Sequence, residues 1–153
     1  MTHPQAPHEV MRNPAVLAGS APSKQVEGRR VLYVFTIPAL PPSFNDWKSW
    51  PDGKQRRIRD EWKAMVLALV REKGNVAPRG IERATLRAVL FFATNRRRDH
   101  DNYHMPLWKW TQDQLVDSKV LVRDDGERLI ALPPGFVVGG PERTLVTIEE
   151  GTA

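Results

Sequence analysis

The run Ala88-Val89-Leu90-Phe91-Phe92, followed after two residues by Asn95-Arg96-Arg97-Arg98-Asp99-His100-Asp101-Asn102, constrains this chain more than any other stretch. An unbroken apolar run of this length reads as a strand buried on both faces, and therefore as a central strand of a sheet. Its exit carries three guanidiniums and two carboxylates one residue apart. If extended backbone continues that far, side chains at i and i+2 share a face, so Asp99 and Asp101 point one way and His100 the other. Adjacent carboxylates repel. A hard divalent cation with oxygen ligands relieves that repulsion, and the arginines beside it suit phosphates. The pattern points to a metal-dependent enzyme acting on a phosphate backbone. Asp-X-Asp-Asn is also ordinary turn and N-cap chemistry, so the stretch alone leaves a structural role open. Sugar transferases that use an Asp-X-Asp pair need a larger nucleotide-binding domain than 153 residues hold.

The flanking segments supply the rest of a small α+β domain. Residues 29–38 contain Val31 to Ile37, dense in β-branched and aromatic side chains, and predict a first strand stopped by Pro38. Pro41-Pro42-Ser43-Phe44-Asn45 reads as a rigid loop, in which Ser43 and Asn45 either hold the loop by local hydrogen bonds, the commoner role, or touch a substrate phosphate. Residues 51–73 place Ile58, Trp62, Met65, Val66, Leu69 and Val70 at helical spacing, with Lys54, Arg56, Arg57, Arg59, Lys63 and Arg71 around them and Gly74 as the stop. A basic face of this kind is usually just solvated, but beside a nucleic-acid site it would contact phosphates. Residues 84–93 form the second strand. A second helix is expected from Pro106, which suits a first turn, to Lys119, burying Leu107, Trp110 or Thr111, and Leu115. Lys109 and Asp113 then share a face four residues apart, as a surface ion pair would.

Val120-Leu121-Val122 leads into Arg123-Asp124-Asp125-Gly126, a turn that is also a natural third ligand source for a metal at Asp99 and Asp101. The last two strands are expected at 128–132 and 143–149. Pro133-Pro134-Gly135 and Gly139-Gly140-Pro141 bracket Phe136-Val137-Val138 between them, giving an irregular hairpin. The order β-α-β-α-β-β predicts a two-layer sandwich, a mixed sheet with helices packed on it, over residues 29–150. Residues 1–28, rich in Pro, Ala, Ser, Gln and His, are expected to be a disordered tail.

Composition narrows the chemistry. Lys and Arg number 23 against 18 Asp and Glu, a net charge of +5, with a pI near 9.9. This favours a polyanionic partner. With no cysteine there is neither disulfide nor thiolate site, so any metal must use oxygen or imidazole ligands. No apolar run approaches the roughly 20 residues that span a bilayer, and no secretory h-region is present. A cytoplasmic protein without a membrane partner is the expectation.

Four motifs occur together in the order found in the RusA-type Holliday-junction resolvases. They are Pro41-Pro42-Ser43 with Asn45 after the first strand; Arg97-Arg98-Asp99-His100-Asp101-Asn102 after the second; Lys109 with Asp113 and Leu115 on the following helix; and Asp124-Asp125 after it. The chain resembles that family over residues 29–149. The resemblance implies a small dimeric endonuclease that uses Mg²⁺, or Mn²⁺ in its place, to nick four-way DNA junctions symmetrically. It implies catalytic, metal-binding carboxylates at Asp99, Asp101 and Asp125, a functional lysine at Lys109, and a supporting arginine at Arg98. Asn102 matches the family's asparagine, which orients a ligand or caps the helix. Arg96, Arg97 and Arg98 would position the DNA backbone, with Asn102 beside them. A nuclease for flaps, forks or other branched DNA, and a non-catalytic junction-binding protein whose aspartates only cap turns, are the alternatives.

Overall fold

The structure, a computed structural model, describes residues 25–26, 29–73, 80–122 and 129–151. The elements in chain order are β1 (Gln25–Val26), β2 (Arg29–Ile37), α1 (Phe44–Ser49), α2 (Asp52–Lys73), β3 (Ala84–Phe92), α3 (Asp101–Asp117), β4 (Leu129–Ala131), β5 (Gly135–Val138) and β6 (Arg143–Glu150). They form a two-layer α+β sandwich on a mixed, six-stranded sheet. Its order is β1-β2-β6-β3-β4, with β5 also paired to β3. The expected central strand is central: β6 runs antiparallel on one side of it, and β4 and β5 run parallel on the other.

One face of the sheet builds the core. Tyr33, Phe35 and Ile37 alternate on β2, Leu86, Ala88 and Leu90 on β3, and Val146 and Ile148 on β6, each buried. They meet Trp62, Val66 and Val70 of α2 and Leu107, Trp110 and Leu115 of α3 in one cluster. Indole hydrogen bonds tie α2 to α3 and α3 to the segment after β4. The Trp62 indole N–H donates to Thr111 Oγ1 at 3.0 Å, and the Trp108 indole N–H to the Leu132 carbonyl at 2.8 Å. On the other face β3 is only partly covered, with Arg87 and Val89 half-buried. There Arg87 pairs with the buried carboxylate of Glu149 at 2.9 Å, and the Arg143 guanidinium lies 3.7 Å from the Phe91 ring centroid. Burial on both faces therefore holds at the ends of β3 and not at its middle.

Four expectations change. The Pro41–Asn45 loop gives way to a short helix, because Ser43 is an N-cap whose Oγ accepts the Asp46 N–H at 3.1 Å. α3 begins at Asp101, one turn before Pro106, which lies inside the helix and is buried. A proline there removes the N–H that would have reached the Asn102 carbonyl, and its ring crowds that carbonyl. The strands expected at 128–132 and 143–149 do not form a hairpin: β4 and β6 lie on opposite sides of β3, and the segment between them contributes a strand of its own, β5. β4 and β5 pair with β3 in turn. They lie end to end along β3, at Ala84–Leu86 and Val89–Phe92, with Pro133 and Pro134 breaking the ladder between them because neither carries a donor. Within the expected tail, Gln25 and Val26 pair with Arg30 and Arg29; the remaining residues of the tail, and Gly74 as the expected stop of α2, lie outside the described residues. Among the described residues no helix is long and apolar enough to cross a membrane.

Candidate functional site

β3 stops at Phe92, and the chain reaches Asp99 as an irregular loop. Arg98 shapes that loop. Its Nη1 donates to the Thr94 and Arg96 carbonyls, both at 3.0 Å. Its Nη2 donates to Thr94 Oγ1 at 3.3 Å, and the guanidinium rests 3.8 Å from the Phe92 ring centroid. A planar fork can make all these contacts at once, which an ammonium cannot. Asp99 then opens the helix. Its Oδ1 accepts the Asp101 N–H at 3.1 Å, and its carbonyl accepts the Asn102 N–H at 3.1 Å. His100 is already helical, with φ −58° and ψ −40°. The strand alternation expected to align Asp99 with Asp101 is therefore absent. Asp99 belongs to a helix-opening turn and Asp101 to the first turn of α3, because a short carboxylate acceptor satisfies local N–H groups once the sheet ladder has ended.

This turn faces α1 across a cavity of about 620 Å³. One wall carries Arg96, Arg97, Arg98 and Asp99, and the other Ser43, Asn45 and Asp46. Asn102 joins them: its Oδ1 accepts the Asn45 N–H at 3.3 Å. Two motifs more than fifty residues apart in sequence thus meet through one hydrogen bond. Three guanidiniums face two carboxylates in the lining, an imbalance that favours an anion. Among the described residues neither Arg96 nor Arg97 has an ion-pair partner, and both are exposed, so their charge is available to a ligand. Arg98, being committed to the loop, is a positioning residue.

The donor chemistry suits a hard divalent cation, since Asp46, Asp99 and Asp101 offer only oxygen. Asp99 keeps Oδ2 clear of its bond to Asp101. Among the described residues no three His, Asp or Glu side chains are grouped to hold a metal, and Asp124 and Asp125 lie outside the described residues. Asp101 and Lys109 are not in the cavity lining. Lys109 stands eight residues beyond Asp101, about 12 Å along the helix axis. It pairs with Asp113 at 3.5 Å, their side chains 62% and 31% exposed. That is the surface i,i+4 pair the spacing predicts. On α2 the basic face is partly matched internally, through Arg57–Glu61, Arg59–Asp60 and Lys63–Asp117.

Sequence reasoning missed Asp46 as a cavity carboxylate. The signal was present: Ser43-Phe44-Asn45-Asp46 is a Ser-X-X-acid helix start. It also missed His100 and Tyr103 as lining residues; nothing in their spacing marks them. No protein-family model matches this chain, and no curated protein matches it.

Proposed function

We propose that the chain is a RusA-type structure-selective endodeoxyribonuclease that hydrolyses phosphodiesters of four-way DNA junctions. The observation that carries this reading is the cavity itself, where Asp99 and two arginines without an ion-pair partner among the described residues face the Ser43–Asp46 helix start. Arg96 and Arg97 hold the phosphates on either side of the scissile bond, as fixed positive charge does without sequence preference. Asp99 and Asp101, with Asp125 after α3, would hold Mg²⁺ or Mn²⁺. Such an ion, when bound, lowers the pKa of the attacking water and stabilises charge on the leaving oxygen. Asn102 keeps α1 and α3 in register, so that Ser43 and Asp46 stay opposite the arginines. Because Arg96 and Arg97 reach the cavity and Lys109 does not, the cation nearest the scissile phosphate is sought among the arginines. A twofold dimer would set two such sites on a roughly twofold substrate and give paired nicks.

The test compares four-way, three-way, flap and linear duplex DNA of matched sequence, each with Mg²⁺, Mn²⁺ or EDTA. Paired symmetric nicks in the four-way junction, dependent on metal and lost in Asp99→Asn, are expected. Preferential cleavage of flaps would make the protein a different branched-DNA nuclease. Tight junction binding without cleavage in either metal would make it a non-catalytic binder, the role in which Asp99 serves only as a cap.

A further inference from the structure

At the edge of the cavity lies a ring stack that the proposed hydrolysis does not use. His100 and Phe136 stack face to face, with centroids 4.0 Å apart and planes 6° from parallel. Phe136 is braced edge-on by Phe92 at 5.1 Å and by Tyr103 at 5.6 Å. Phe92 and Tyr103 meet each other at 5.6 Å. The bracing rings come from β3, α3 and β5, and Phe92 is a core residue. The stack is therefore fixed to the rigid part of the fold, although His100 itself is exposed. His100 occupies the N-cap position of α3 but makes no side-chain cap hydrogen bond. Helix initiation thus leaves its imidazole unused, that work falling to Asp99. An exposed ring with one face against Phe136 turns its other face outward, and His100 lines the same cavity as Arg96 and Arg97.

A flat π face beside two exposed arginines has the two parts that single-stranded nucleic acid requires, charge to track the backbone and a ring to stack a base. We propose that His100, backed by Phe136, is a stacking platform for one unpaired nucleobase of the strand whose phosphates lie on Arg96 and Arg97. This rests on the reading that a DNA strand enters the cavity. The base taken is one at the branch point, where the continuous stacking of each strand is already interrupted and less of it has to be given up. Stacking of this kind tolerates any base, so the platform adds affinity and register with little sequence preference.

The test places 2-aminopurine at each nucleotide around the branch point of a four-way junction in turn, with the full-length protein in EDTA, so that no cleavage is required. Quenching at one position with the wild type is expected. His100→Ala should lose that quench and bind about tenfold more weakly, a typical loss for one stacked base. His100→Phe should keep both, because a phenyl ring restores the π face on Phe136 without the imidazole. Wild-type binding and an unchanged quench in His100→Ala, whatever its melting temperature, would make the stack purely structural and overturn the proposal. Junction cleavage with no His100-dependent quench would overturn it and leave the nuclease reading standing. Absence of any DNA binding by the wild type would overturn both.

Discussion

Of the three adjacent arginines, Arg98 holds the loop while Arg96 and Arg97 line the cavity without an ion-pair partner among the described residues, and single alanine variants should separate the two proposed roles. Arg98 donates to two carbonyls and a hydroxyl and covers the Phe92 ring. The site is partly exposed, so each hydrogen bond contributes well under the value for a buried charged one. A surface cation–π contact adds about 0.5–1 kcal/mol. Together the loss in Arg98→Ala is about 1–2 kcal/mol, and for a chain of this size that lowers Tm by roughly 2–8 °C. Arg96→Ala and Arg97→Ala remove no side-chain hydrogen bond or ion pair among the described residues, so their stability should stay within about 0.5 kcal/mol of wild type. DNA binding reverses the order. Each phosphate contact contributes about 0.9 to the slope of log Kobs against log salt concentration, so Arg96→Ala and Arg97→Ala should each flatten the slope by about that much. Arg98→Ala should leave the slope unchanged. Urea denaturation and fluorescence anisotropy across a salt series give both quantities. An Arg98→Ala protein that is fully stable but has a flattened slope would refute the assignment of this residue to the loop.

Three further outcomes follow from the same geometry. Asp99→Asn should fold normally, because an amide oxygen still accepts the Asp101 N–H; both it and Asp101→Asn should lose metal-dependent nicking yet retain junction binding, as band-shift and cleavage assays on one preparation would reveal. Lys109→Ala should cost about 0–1 kcal/mol in stability and leave single-turnover cleavage within a few-fold of wild type; a drop of about a hundredfold would return this lysine to the scissile phosphate. Lys119 ends α3 in the left-handed region at φ 68°, where glycine is the usual residue. Lys119→Gly should therefore raise stability by about 0.5–1 kcal/mol by thermal denaturation, after the entropy glycine adds to the unfolded chain.

The strands β2, β3 and β6 and the helix α2 were legible in the sequence to within a residue or two, because burial against one layer writes a period of 2 or 3.6 into the chain. The central place of β3 was legible for the same reason: an apolar run that long has to be covered. Where local chemistry competes with periodicity, the sequence was silent or misleading. Asp99 and Asp101 read as one face of a strand, yet the ladder ends at Phe92, and a carboxylate that accepts a downstream N–H starts a helix after the intervening loop. Pro106 read as a helix start, yet α3 begins five residues earlier. The candidate site itself needed tertiary structure. Asn45 and Asn102 are fifty-seven residues apart and meet only because α1 and α3 pack at the same end of the sheet. The three arginines are indistinguishable as letters. One lies over Phe92 and two face solvent, because only folding fixes which side of the loop each guanidinium can reach. The His100–Phe136 stack likewise joins a helix cap to a strand, β5, whose parallel pairing with β3 no local pattern encodes.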